Sequence, residues 1–188
     1  MTSPQIVPFD TATTAIDGLL VITTKQVTEP RGTVREIYRH SVFTAGALSG
    51  MGEVTQVNAP FPHRGGVRAL HAEDMTKLVG VVHGEAFGAY VDLREASPTR
   101  GAVVTQQLVP GVQVIVPKGV ANGFQAVSEG GCEYLYCFDD EWVPGMAGKA
   151  LTPLDEDLGI DWPLPLVADD PAVLSAKDAS APRLRDLG

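Results

Sequence analysis

A mainly β fold, a sandwich or barrel of short strands with short peripheral helices, is what this sequence predicts. Three observations carry that expectation. Apolar runs of strand length recur from Leu19 to Phe138. Clusters of turn residues separate them at the spacing of about 8–12 residues that marks β-sandwiches and barrels. No alternation of strands with helical periods occurs, and no internal repeat of solenoid length is present.

Taken in order, the runs are Leu19 to Val27, Glu53 to Asn58, Val67 to His71, Leu78 to Val82, Phe87 to Leu93, Val103 to Leu108, Val112 to Val116, Gly123 to Val127 and Glu133 to Phe138. Between them lie Pro60 to Pro62, His83-Gly84, Ser97-Pro98, Pro110-Gly111, Pro117 to Gly119 and Glu129 to Gly131. Proline and glycine there supply fixed or positive backbone angles that end a strand. Thr33 to Leu48 reads equally as strand or helix. The proline-, alanine- and aspartate-rich tail after Trp162 is expected to lie over the barrel as turns and short helix, with Ser175 as a helix cap. One domain spans residues 1–188 in this reading, with its core at about 18–140 and the tail 141–188 packed over it.

With 188 residues, 44% of them hydrophobic, the chain can fill a sizeable core. Its formal charge of −9 repels nucleic acid and anionic membranes, so neither is expected as a partner. Any anionic ligand must be held by local positive charge. Two cysteines, Cys132 and Cys137, point away from a disulfide or a shared metal. Such sparing use suits a reducing compartment, and the N-terminal segment lacks the basic start and apolar run of a secretory signal. No stretch approaches the ~20 apolar residues of a membrane-spanning helix. A cytoplasmic protein is expected.

Considered one at a time, the chemically capable residues are unspecific. His71 ends an apolar run and reads first as an inert strand-end histidine. Arg68 and Lys77 read as strand-surface charges, and Asp178 as a solvated carboxylate in a polar tail. Tyr134 and Tyr136 share one strand face, as core aromatics do. Glu73 follows His71 by two positions, but a metal centre would have to draw on His63, His71, Glu73 and His83 from separate loops, so none is expected. No Gly-x-Ser-x-Gly elbow supports a serine nucleophile.

Nine blocks in constant order change this picture. They are RGTVRE (Arg31 to Glu36), QVN (Gln56 to Asn58), VRALH (Val67 to His71), KLVGVVHGE (Lys77 to Glu85), VDLREASPT (Val91 to Thr99), VPKGVANGF (Val116 to Phe124), EYLY (Glu133 to Tyr136), DLGIDWP (Asp157 to Pro163) and LSAKDASAP (Leu174 to Pro182). Together they resemble the dTDP-4-dehydrorhamnose 3,5-epimerase family across most of the chain. The resemblance implies a cupin jelly-roll barrel and a homodimer in which the Arg31 segment reaches the neighbouring subunit's site. It implies a dTDP-sugar substrate and no cofactor. It assigns His71 as base, Asp178 as its partner, Tyr136 as acid on the opposite face of the sugar ring, and Lys77 to the keto oxygen. Arg31, Glu36, Gln56, Asn58, Arg68 and Lys177 would hold the nucleotide and its diphosphate, with Asn122 and Trp142 also contacting substrate.

The implied chemistry fits these residue types. Protons on carbons beside a C4 ketone are acidic because their loss leaves an enolate. Imidazole is the side chain that ordinarily exchanges a proton near neutral pH. A carboxylate on its other nitrogen fixes the tautomer and stabilises the imidazolium. Charge growing on O4 needs a donor or cation, and inversion needs a proton from the opposite face.

Some positions depart from the family pattern. Asn122 stands where a second histidine is usual and cannot relay a proton. Val34 replaces an aromatic, Trp142 a tyrosine, and Ala69 a glycine, which requires a negative φ at Ala69. Arg68 and His71 are three apart and face opposite sides of a regular strand, so a bulge is expected near Ala69–Leu70. The alternatives are a C3-only epimerase, a 3,4-ketoisomerase, a non-catalytic sugar-nucleotide-binding cupin and a metal-dependent cupin dioxygenase.

Overall fold

The structure, a computed structural model, describes residues 3–187. Fourteen strands appear among them: β1 Gln5–Val7, β2 Asp10–Thr13, β3 Leu20–Thr23, β4 Gln26–Glu29, β5 Gly32–Arg35, β6 Gln56–Asn58, β7 Val67–Glu73, β8 Lys77–His83, β9 Ala86–Asp92, β10 Val103–Leu108, β11 Val112–Val116, β12 Val120–Ala126, β13 Glu133–Phe138 and β14 Gly148–Ala150. Two one-turn helices, α1 His40–Phe43 and α2 Ala176–Ala179, complete the main elements. Two large antiparallel sheets, ordered β10-β9-β12-β7-β14 and β2-β3-β11-β8-β13-β6, face each other, and β1-β4-β5 forms a small third sheet. This is the expected mainly β sandwich with short peripheral helices.

The core between the large sheets holds Val79 and Val81 of β8, Val114 and Val116 of β11, Tyr90 of β9, Phe124 of β12 and Tyr134 of β13. Because side chains alternate along a strand, the intervening residues form two further layers. Leu78, Ile115 and Cys137 lie under α1 and the 3₁₀ segment that follows it, packed on Phe43 and Met51. Leu70, Ala89, Val91 and Ala121 lie under the C-terminal tail, packed on Leu151 and Leu158. Strands β8 and β12 are therefore covered on both faces, which is why their sequences run apolar rather than alternating.

Several sequence readings change in detail. The run Leu19 to Val27 is two strands, because the chain leaves β3 at Thr24-Lys25 and starts a separate hairpin, β4–β5, that joins the small sheet. The ambiguous Thr33 to Leu48 stretch is strand, helix and 3₁₀ turn in succession. The Glu53 to Asn58 run shortens to β6, and the run placed at Gly123 begins three residues earlier, at Val120. Ser175 does cap α2, its hydroxyl accepting from the Asp178 N–H at 3.1 Å.

The bulge expected in β7 is present. Asn122 pairs with His71 and Phe124 with Arg68, so two steps along β12 match three along β7. The extra residue puts Arg68 and His71 on the same face. Gly123 sits opposite it, and a Cβ there would lie 2.8 Å from the Arg68 carbonyl oxygen and 3.1 Å from the Leu70 nitrogen. Ala69 meets its requirement, since no non-glycine residue described has a positive φ.

Candidate active site

A cavity of about 580 Å³ opens at one end of the sandwich. Strand β7 contributes Arg68, His71 and Glu73; β12 contributes Asn122; the opposing sheet contributes Lys77 from β8 and Tyr136 and Phe138 from β13. Asn58, Trp142 and Asp178 complete its wall. These residues come from positions up to 120 apart in sequence, and the antiparallel pairings bring them together.

His71 Nε2 lies 2.8 Å from Asp178 Oδ1. Burial alone would raise the Asp178 carboxyl, but His71 and the Ser175 hydroxyl hold it below its ordinary value. The carboxylate is carried on the first turn of α2, where the Ser175 cap fixes the turn. A strand-end histidine and a tail carboxylate, each unspecific in sequence, thus form an oriented pair.

Lys77 is almost wholly buried, and its ammonium donates to three acceptors. These are the His71 carbonyl at 3.0 Å, Asn122 Oδ1 at 2.7 Å and the Glu73 carboxylate. Burial pushes the ammonium down and Glu73 opposes it; the Glu73 carboxyl, which burial alone would raise, is lowered by Lys77. Glu73 was considered in the sequence only as a metal ligand. Its place in the cavity follows from period two, since it alternates onto the same face as His71. Among the described residues no three His, Cys, Asp or Glu side chains cluster as metal ligands would.

Tyr136 is held by its neighbours. Its ring stacks on Phe138 at 5.4 Å, tilts on Tyr134 at 4.9 Å and meets Phe124 edge-on at 6.3 Å. Burial pushes its phenol well above the usual value; the Glu73 carboxylate adds to this, while the Asn122 amide and the Arg68 guanidinium pull the other way. Tyr134, on the same strand face, is core. Asn122 Nδ2 is buried beside the Tyr136 phenol, and among the described residues it has no partner that meets full hydrogen-bond geometry.

Not every candidate faces this cavity. Gln56 accepts from the Trp142 N–H at 2.8 Å and donates to Asn58 at 3.1 Å, so it supports two wall residues from behind. Lys177 lines two adjoining depressions that share His71 with the cavity. Arg31, at the β4–β5 turn, is ion-paired with Glu29, and Glu36 is ion-paired with Arg39; neither lines the cavity of its own chain. Both cysteines are free and buried in different layers, and burial pushes each thiol up to about 11. No helix described is long and apolar enough to cross a membrane.

Comparison with known proteins agrees with this geometry. The family model for dTDP-4-dehydrorhamnose 3,5-epimerase matches residues 13–186. A protein of that name from Methanothermobacter thermautotrophicus is 32% identical, over 92% of this chain and 93% of its own. A dTDP-4-dehydrorhamnose 3-epimerase from Streptomyces niveus is 33% identical, over 88% and 84%. Among solved structures, the Legionella pneumophila dTDP-6-deoxy-D-glucose-3,5-epimerase in complex with dTDP-4-keto-L-rhamnose superposes with a TM-score of 0.84 at 32% identity, covering 95% of this chain and 94% of that one. Its fold, the residues that line its cavity and the span of these matches place this chain in the dTDP-4-dehydrorhamnose 3,5-epimerase family.

Proposed function

We propose that this protein is an epimerase that inverts C3 and C5 of a dTDP-4-keto-6-deoxyhexose in deoxysugar biosynthesis. The observation that carries the reading is the placement of His71 with Asp178 on one sheet and Tyr136 on the other, across one cavity. A sugar ring lying between the sheets presents one face to each. His71 removes the proton beside the C4 ketone, and the electron pair moves into the enolate. Asp178 holds the resulting imidazolium. Tyr136 returns a proton to the opposite face of the same carbon, which inverts it. The high phenol pKa suits a donor that keeps its proton until the basic enolate forms. Base and acid balance the reaction between them, so the chemistry calls for no cofactor.

Arg68 in the cavity wall and Lys177 in the adjoining depressions supply local positive charge for the diphosphate in an acidic protein. Arg31 and Glu36 serve a neighbouring copy in this reading. The small β1-β4-β5 sheet carries exposed Ile6 and Val34, at 62% and 70% exposure, and a homodimer exchanging this segment would cover them.

C3-only epimerisation is the second reading. Asn122, which cannot relay a proton, favours it, and the Streptomyces niveus relative is a 3-epimerase by name. Incubation with dTDP-4-keto-6-deoxyglucose in heavy water, read by NMR and mass spectrometry, tests both. Deuterium at C3 and C5 is expected; label at C3 alone selects the second reading, and label at neither overturns the epimerase assignment for this substrate.

A further inference from the structure

Lys77 has nothing left to give a ligand. Its three N–H bonds are directed at the His71 carbonyl, Asn122 Oδ1 and the Glu73 carboxylate, and the ion pair with Glu73 cancels its charge locally. An ammonium can only donate. The Asn122 oxygen must therefore face Lys77, and the amide cannot flip. Its NH₂ is forced the other way, toward Tyr136 and the cavity. Buried donors are almost always satisfied, so an unpartnered one that is fixed in this way asks for an explanation.

We infer that the Asn122 side-chain amide is the donor that meets the sugar's O4 as it becomes an enolate oxygen, and that Lys77 is a positioning residue that acts through it. This rests on the epimerase reading above. The geometry puts the amide where it is needed. Asn122 lies directly across the strand pair from His71, on the same face, and beside the Tyr136 phenol. Directly opposed side chains on one face are neighbours, with Cβ atoms about 5 Å apart. The amide thus sits between base and acid, and the oxygen attached next to the reacting carbon belongs there too. A fixed neutral dipole needs no rearrangement as charge develops, which is what makes such a donor effective in a dry site.

The test uses the full chain with dTDP-4-keto-6-deoxyglucose, in wild type, Asn122→Leu, Lys77→Met and the double variant. Deuterium incorporation in Asn122→Leu is expected to slow about 100- to 1000-fold, with KM within about threefold, as for loss of one oxyanion donor. If Lys77 acts through Asn122, the double variant is no slower than the slower single one; if Lys77 meets O4 itself, the two losses multiply and the positioning role is overturned. Thermal melting and calorimetric binding of dTDP alone verify that each variant is folded with its nucleotide subsite intact.

A second readout needs no turnover. Titrating ¹⁵N-labelled protein with the same sugar nucleotide is expected to shift one side-chain amide pair that is missing from Asn122→Leu. That shift without any deuterium incorporation by wild type would sink the epimerase reading, and the enolate role with it, and leave the amide only as a contact to the bound sugar nucleotide. Normal incorporation by both wild type and Asn122→Leu, with no amide shift, would do the reverse.

Discussion

Gly123→Ala is a stringent test of the β7 bulge. The added Cβ would lie 2.8 Å from the Arg68 carbonyl oxygen, 3.1 Å from the Leu70 nitrogen and 3.2 Å from the Ala69 carbonyl carbon. Close carbon–oxygen contacts in sheets begin at about 3.3 Å, so the two strands must separate by about 0.5 Å. All three obstacles are backbone, so no side-chain rotation relieves them. Overpacking of this kind costs about 1–3 kcal/mol. At about 2–4 °C per kcal/mol for a chain of this size, a 2 kcal/mol loss lowers Tm by about 4–8 °C. The strain has one escape, which is removal of the bulge. Regular pairing would turn Arg68 to the opposite face, because side chains alternate with period two. Loss of the proposed diphosphate contact is then expected to raise KM while the chemistry proposed for His71 persists. Denaturation followed by circular dichroism and steady-state kinetics read both consequences. An alanine variant with unchanged Tm and unchanged KM would refute the account of why glycine stands here and of how Arg68 reaches the site.

Three further outcomes are expected. Tyr136→Phe should retain deuterium exchange at the carbon His71 serves but lose most net inversion, whereas His71→Ala should lose both; full epimerase activity in His71→Ala defeats the mechanism. Asp92→Asn should destabilise the fold by about 3 kcal/mol, because the fully buried carboxylate accepts from Arg94, Ser97 and Thr99 at 2.6–2.9 Å. Burial alone would raise the Asp92 carboxyl, yet those donors hold it far below the usual carboxylate range. Its contribution is therefore complete above about pH 4 and fades as pH falls further toward the folded-state value, so urea melts of wild type and variant should converge in acid. Finally, Val34→Glu should shift the protein toward monomer in light scattering and raise KM, since the same sheet is proposed to cover a partner's site; an unaltered dimer would remove Val34 from that interface.

The fold was legible where local signals agree with the final pairing. Runs bounded by proline and glycine became strands, and the doubly covered β8 and β12 announced themselves by lacking alternation. Boundaries failed where tertiary pairing overrode the local pattern. Nothing near Thr24-Lys25 says that the next four residues desert a large sheet for a small one. The bulge, by contrast, was readable as a conflict. Two residues expected at one site could not both face it on a regular strand, and β7 contains the extra residue that resolves this. Glu73 was the chief omission among cavity residues. Its alternation with His71 was visible in the sequence, but its pairing with Lys77 depends on a turn that folds β8 back from β7. Arg31 and Glu36 mark the other limit, since a residue proposed to act in a second copy leaves no signature in its own chain's cavity.

The sandwich architecture itself explains why inversion is a natural reaction for this site. A single sheet presents functional groups to one face of a flat ligand only. Two facing sheets, with strands that leave their inward side chains exposed at one end, offer groups to both faces across a gap of about 10 Å. Here the proposed base and donor amide come from β7 and β12, and the phenol comes from β13, on the opposite sheet. Lys77 crosses between them, rising from β8 to hold the His71 carbonyl, Glu73 and Asn122 together. It therefore sets the spacing between the two halves of the site, and shortening it to remove that reach should loosen base and donor at once. Near-isosteric Lys77→Met retains the packing of the stem and removes the ammonium, its three bonds and its charge beside Glu73 together, which is why that substitution, rather than alanine, separates the positioning of the site from the filling of the core.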